Sequence, residues 1–163
     1  MLIRPAQVSE LPAVGELTAA AYVADGLIDP DAGYVGELRA ADQRSTEAEL
    51  MVAVEGDRLL GTVTFCLAGS PWAEICEAGE AEFRMLAVSP QARGRGVGSA
   101  LASWCVDRAR EQGSSAVALS SLPDMRTAHR IYERLGFVRA PGRDWRPADD
   151  VDLIAYVLDL RAQ

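Results

Sequence analysis

Apolar positions along the chain alternate between a helical and a strand period, and the switches mark out its elements. Leu2, Ile3 and Arg4 read as a short strand ended by Pro5. Leu11, Val14, Leu17, Thr18, Ala21 and Tyr22 then share one helical stripe; Ser9 stands where an N-cap belongs, and the helix is expected to reach about Asp25. The loop 26–33 leads into a second predicted helix, from Tyr34 to about Arg44, on Val35, Leu38 and Ala41. Two β runs, 50–54 and 59–67, flank Glu55-Gly56-Asp57-Arg58, a hairpin turn. A long loop, 68–79, precedes a strand over 80–88 that Pro90 stops.

The second half repeats the alternation. A glycine-rich turn leads into a helix whose Val97, Leu101, Trp104, Cys105 and Ala109 form one face, closed by Gly113. The strand 116–120, joined through that helix, is expected to lie parallel to 80–88. Asp124 is placed to cap a last helix carrying Met125, Ala128, Ile131, Tyr132 and Leu135, with Gly136 ending it. Segments 137–139 and 151–160 supply closing strands. No repeat or linker interrupts the pattern, so residues 1–163 read as a single domain: an α/β (α+β) fold with a mixed, mostly antiparallel sheet flanked by about four helices.

Composition removes several kinds of chemistry. Sixteen basic residues face twenty-four acidic ones, a net charge of −8. A nucleic-acid partner is therefore not expected, because phosphate contacts need a basic face. All sixteen bases are arginine, which excludes a Schiff-base lysine, a lysine general base and a Walker-type phosphate lysine. Cys66, Cys76 and Cys105 are odd in number and lack C-x-x-C spacing, so neither a disulfide framework nor a metal site is expected. A reducing cytoplasm is their default home. No apolar run is long enough to span a bilayer, and the first residues lack a signal-peptide core, so neither a membrane nor secretion is expected.

The chemistry concentrates where a strand runs into Gln91-Ala92-Arg93-Gly94-Arg95-Gly96-Val97-Gly98 and then a helix. Glycines let the main chain approach an anion, and a helix start offers unpaired N–H donors with the positive end of its dipole. A dinucleotide fingerprint starting at Gly94 would need glycine where Ser99 stands, and a P-loop needs a lysine. The pattern Gln91-x-x-Gly94-x-Gly96 after Leu86-Ala87-Val88, followed by Tyr132-Glu133-Arg134-Leu135-Gly136-Phe137, closely resembles the GCN5-related N-acetyltransferase (GNAT) family.

That resemblance implies acetyl-CoA as co-substrate, lying where the two parallel strands splay apart. Its pyrophosphate would meet main-chain N–H groups over Arg93, Gly94, Arg95, Gly96, Val97, Gly98 and Ser99, while Leu86, Ala87 and Val88 run beside the pantetheine arm. Arg93 and Arg95 are either further phosphate contacts or surface residues. By the same likeness Tyr132 protonates the leaving thiolate, and the Leu86 N–H donates to the developing oxyanion. Glu82 is either the base that takes the amine's proton or the ion-pair partner of Arg84 on the same strand face. His129 is read on the exposed side of its helix. Cys76 is the one thiol on a loop, and direct attack in a ternary complex is preferred to an acetyl-cysteine route. Many family members carry asparagine where Met125 stands, so its contact would pass to Ser121 or Asp124.

The acceptor is expected between the first two helices and the loop before Glu80. Tyr22, Tyr34 and Trp72, with Asp25, Asp29, Asp31, Glu74 and Glu77, would either receive a small cationic primary amine or be core and solvated residues. A protein N-terminus or lysine as acceptor, and a non-catalytic acyl-CoA-binding module, are the alternatives. The apolar strand 151–160 has an edge that a second copy would cover, giving a homodimer.

Overall fold

The computed structural model describes residues 1–24, 28–31 and 33–161. Its strands are β1 (Leu2–Pro5), β2 (Glu49–Glu55), β3 (Arg58–Leu67), β4 (Ala81–Val88), β5 (Ala116–Ser121), β6 (Val138–Arg139), β7 (Trp145–Ala148) and β8 (Val151–Asp159). The helices are α1 (Leu11–Val23), α2 (Tyr34–Arg39), α3 (Ala41–Glu47), α4 (Val97–Glu111) and α5 (Arg126–Arg134). All eight strands form one open sheet in the order β1-β2-β3-β4-β5-β8-β6, with β7 also pairing β8. Every pairing is antiparallel except β4 with β5.

Strand alternation divides the core into two layers. On β2, Met51 and Ala53 join the layer under α4, with Phe65, Phe83, Leu101 and Leu119. Leu50, Val52 and Val54 face the other way, against Val14 of α1 and Ala41 of α3. A third cluster completes that second side beneath α1 and α2, with Tyr22, Tyr34, Leu38, Trp72 and Met85.

Several expectations are corrected. Ser9 does not cap α1: a 3₁₀ turn over Val8–Glu10 precedes the helix, Gln7 and Glu10 form the capping box, and Pro12 sits in the first turn. α1 stops at Val23, and Asp25 lies outside the described residues. The helix read over 34–44 is broken at Ala40 (φ −78°, ψ 53°) into α2 and α3. Gly15 explains the break: a Cβ there would stand 2.5 Å from the Arg39 carbonyl oxygen, so α1 presses against the end of α2. α5 starts after Met125, and Asp124 contributes its backbone carbonyl but no side-chain cap. β7 was not anticipated. Together with β6 it covers β8, so the edge that suggested a second copy is already paired within the chain.

Two features of β4 shape the site. Its parallel pairing with β5 runs only from Ala81↔Val117 to Phe83↔Leu119, after which the strands part. Against β3, Thr62 pairs with Ala87 but Thr64 with Arg84, so β4 carries one extra residue, and Met85 lies in the left-handed region at φ 58°.

Candidate active site

At the outer end of the parting, Pro90–Ala92 make a 3₁₀ turn, Gly94 and Gly96 adopt φ of 78° and 79°, and α4 begins at Val97 with no side-chain cap. Gly96 is required for its φ, and the space where its Cβ would stand is open for 4 Å. Gly98 sits close to the next layer, since a Cβ would meet Ile131 Cδ1 at 3.1 Å, a contact to which the end of that side chain would have to yield, and Val88 Cγ2 at an ordinary 3.6 Å. Val97 and Gly98 are buried, Ser99 is half-buried, and Arg93 and Arg95 are exposed. Arg95 is held by Glu55 at 2.6 Å across the β2–β3 turn.

At the inner end the parting opens a pocket lined by Tyr22, Phe83, Arg84, Met85, Leu86, Ser120, Ser121, Met125, Ala128 and Tyr132. Tyr132 reaches it from α5, its ring packed on Phe83, Phe137 and Tyr156 with centroids 5.9–6.0 Å apart. Burial pushes its phenol well above the ordinary range, so the hydroxyl keeps its proton at neutral pH. Tyr132, Leu86 and Tyr22, assigned to different roles in sequence, thus meet at one cavity. Met125 and Ser121 both line it, while Asp124 is exposed.

Glu82 is fully buried and is not paired with Arg84. Its Oε1 accepts the backbone N–H groups of Glu74, Ile75 and Cys76 at 2.9, 2.9 and 3.0 Å, anchoring the loop before β4. Its Oε2 is buried without a hydrogen-bond partner. The Cys76 thiol is pushed up to about 12 by burial and by the neighbouring Glu82 carboxylate, and Cys66 likewise to about 12, leaving little thiolate on either.

His129 corrects the sequence reading: it is buried, not exposed. Its Nε2 lies 3.0 Å from both Ser121 Oγ and the Leu122 carbonyl oxygen. A carbonyl can only accept, so Nε2 carries the hydrogen and the ring fastens the β5–α5 turn. Burial lowers its pKa, which keeps it neutral.

The aromatic residues expected at the acceptor mouth are present but surround arginine. Tyr22 and Tyr34 meet edge to face at 6.4 Å. Tyr34 Oη accepts from Arg84 Nη2 at 3.3 Å, and the Trp72 carbonyl accepts from Arg84 Nη1 at 3.0 Å. Arg44 and Arg84 each stand 5.8 Å from the Trp72 ring centroid. Glu77 is spent on Arg143, and Asp29, Asp31 and Glu74 are exposed. Sequence reasoning missed both arginines as site residues: Arg84 entered only as a possible partner of Glu82, and Arg44 only as a helix end. Among the described residues no cluster of His, Cys, Asp and Glu suits a metal, and no helix is long and apolar enough to cross a membrane.

Comparison with known proteins agrees with this arrangement. The profile of the Acetyltransferase (GNAT) family matches residues 16–137. A mycothiol acetyltransferase of Geodermatophilus obscurus is 33% identical over 127 residues, covering 69% of this chain and 39% of that protein. An aminoalkylphosphonate N-acetyltransferase of Salmonella typhimurium is 39% identical over 56 residues, covering 34% of this chain and 36% of that one. The aligned part of the chain thus spans less than two fifths of the length of each of these relatives. Among solved structures, the PaiA N-acetyltransferase of Thermoplasma acidophilum in complex with coenzyme A superposes with a TM-score of 0.73 at 14% identity, covering 97% of this chain and 98% of that one, a likeness of fold. By the profile match across its parted strands, its glycine turn and its tyrosine helix, the chain belongs to the Acetyltransferase (GNAT) family.

Proposed function

We propose that this chain transfers the acetyl group of acetyl-CoA to the primary amine of a small cationic molecule, by direct attack in a ternary complex. The parting of β4 from β5 after Phe83 carries the reading, because it joins an open glycine turn and an uncapped helix start to a pocket walled by Tyr132, Leu86 and Arg84. The cradle suits the co-substrate: around Gly94 and Gly96 no side chain fills the approach, and α4 starts uncapped. Acetyl-CoA bound there supplies an activated acetyl thioester.

The chain's own groups then have distinct tasks. Residues 93–99 hold phosphate with backbone N–H groups, so the absence of lysine costs nothing. The Leu86 N–H donates to charge developing on the acetyl oxygen. Tyr132 holds a proton at the pocket wall for the leaving sulfur. The ammonium of the acceptor must lose a proton before it can attack. Glu82 takes that proton through water, since it is flanked on β4 by Phe83 of the pocket wall and its Oε2 has no hydrogen-bond partner. The name of the aminoalkylphosphonate relative supports a low-molecular-weight amine over a protein acceptor.

A thermal-shift titration with acetyl-CoA, followed by thiol release against an amine panel, tests the reading. Stabilisation of about 2–3 kcal/mol is expected at a hundredfold excess over Kd, together with thiol release for one amine class. No stabilisation by acetyl-CoA overturns it. Stabilisation without turnover of any small or peptide amine points instead to a non-catalytic acyl-CoA-binding module.

A further inference from the structure

Two guanidinium groups are buried on the α1–α2 side of β4, Arg44 with no exposed surface and Arg84 with 5%. Arg44 gives Nη1 to the Glu37 and Leu38 carbonyls at 2.8 and 3.0 Å, which closes the end of α2. Its Nε and Nη2 are buried without a hydrogen-bond partner, and among the described residues no carboxylate pairs with it. Arg84, by contrast, pairs with Glu74 at 3.8 Å, a carboxylate 38% exposed at its side chain, and also feels the buried Glu82 carboxylate. Burial draws Arg44 down only to about 10, so it remains a cation at neutral pH.

A buried, unpaired charge is strongly unfavourable, and orphaned donors add to the cost. A chain of net charge −8 has carboxylates in excess, yet none is placed to neutralise Arg44. The compensating anion is therefore expected to come from outside. The pocket reaches Arg84, which forms part of its wall with Tyr22, and Arg44 lies beyond that wall beside the same Trp72 ring as Arg84.

We propose that the acceptor is an amine that also carries an oxyanion, a carboxylate or phosphonate, and that Arg84 in the wall receives that group while the uncompensated charge of Arg44, beside the same Trp72 ring, favours it. This deepens the acetyltransferase reading and rests on it. A guanidinium presents paired donors in a planar fork that matches an oxyanion, and Arg84 is already held in place by the Trp72 carbonyl and Tyr34. Only the bulged Met85 separates Arg84 from Leu86, and both of them line the same pocket. The amine and the oxyanion therefore stand only a few bonds apart, as in a small amino acid. Such an acceptor carries the ammonium of the proposed function, but its oxyanion balances that charge, so the inference narrows a cationic molecule to an amino acid or aminophosphonate whose oxyanion meets Arg84.

The test compares thiol release with matched amines: β-alanine, its primary amide, 2-aminoethylphosphonate and propylamine, alongside α-amino acids and their amides. The wild-type protein is expected to favour an acid over its own amide by at least about tenfold in kcat/KM, the scale of a hydrogen bond to a charged group. The carboxylate and phosphonate arms distinguish the two oxyanions. Arg44→Gln is expected to lower the acid-to-amide ratio severalfold through KM, and Arg44→Lys to retain more of it. Folding of both variants is checked by acetyl-CoA stabilisation.

Preference for the amides or propylamine overturns the inference, as does a ratio left intact in Arg44→Gln. So does acetyl-CoA stabilisation of the wild type with no acid-bearing amine acetylated, a result that leaves the acetyl-CoA site standing. Failure of acetyl-CoA itself to stabilise the wild-type protein is the separate signature that the underlying reading has failed.

Discussion

Tyr132→Phe removes one oxygen from the pocket wall and leaves the rest of the core in place. The ring contacts with Phe83, Phe137 and Tyr156, all at 5.9–6.0 Å, are available to a phenylalanine in the same position. Folding stability should therefore change by less than about 1.5 kcal/mol. For a domain of this size that corresponds to a Tm shift of no more than about 5 °C. Catalysis should suffer far more, because a positioned proton donor contributes about 10²–10⁴-fold, or roughly 3–5 kcal/mol of barrier. Burial holds the wild-type phenol well above its ordinary range, so Tyr132 adds no alkaline limb to the rate profile near pH 9–10 as an exposed tyrosine would. The assay is steady-state thiol release with the best amine, paired with an acetyl-CoA thermal shift on the same protein. Tyr132→Ala is the contrast: it should lose about 3–5 kcal/mol of stability along with its activity. A Tyr132→Phe protein that binds acetyl-CoA and turns over within threefold of wild type would refute the proton-donor assignment.

Gly96→Val forces a branched side chain into a φ of 79° at the mouth of the cradle; it should cost about 1–2 kcal/mol in backbone strain and weaken acetyl-CoA binding more than tenfold by calorimetry. Glu82→Gln removes the charge that accepts three backbone N–H groups and puts an NH₂ where Oε2 has no partner. A loss of about 1.5–3 kcal/mol is expected, with faster amide exchange at 74–76 and a lower rate; unchanged Tm and rate would leave Glu82 as neither anchor nor base. The Arg4–Glu10 pair, 2.8 Å apart, lowers the Glu10 carboxyl to about 2. Because the folded value is depressed, its contribution is full above about 4.5 and is lost as pH falls towards 2. The Tm difference between wild type and Arg4→Ala should accordingly shrink over that window, and a constant difference would contradict the pairing.

Most elements were legible because period and punctuation agree locally. The face Val97, Leu101, Cys105 and Ala109 is buried as its spacing predicts, and Gly113 and Gly136 take the positive φ that ends a helix. What escaped depends on partners distant in sequence. His129 has exposed neighbours, Thr127 and Arg130, on α5, but Tyr156 of β8 lies against its ring at 5.4 Å and Ser121 of β5 closes the other side. Arg44 reads as a solvated helix terminus until Trp72 and Tyr34, brought from the loop before β4 and from α2, enclose it. Local pattern cannot price such burial, since a buried arginine and an exposed one have the same spacing.

The bulge at Met85 is the least readable feature and the one on which the site depends. Ala81 and Phe83 face α4, while Glu82 and Arg84 face the opposite layer. Plain alternation would send Met85 back under α4 and turn Leu86 away from it. The extra residue places Arg84 and Met85 on the same side and returns Leu86 and Val88 to the α4 layer. On the proposed function, one inserted residue would let a single strand serve two ligands: its first half places Arg84 on the α1–α2 side, and its second half runs along the parting from β5. A non-glycine residue at φ 58° is a local cost. Met85 is buried in the cluster with Tyr22 and Trp72, so the packing that tolerates this backbone also helps enclose the pocket proposed for the acceptor. Strain in β4 and selectivity for the acceptor are therefore properties of one cluster, and substitutions beneath α1 should alter the choice of amine without touching the glycine turn.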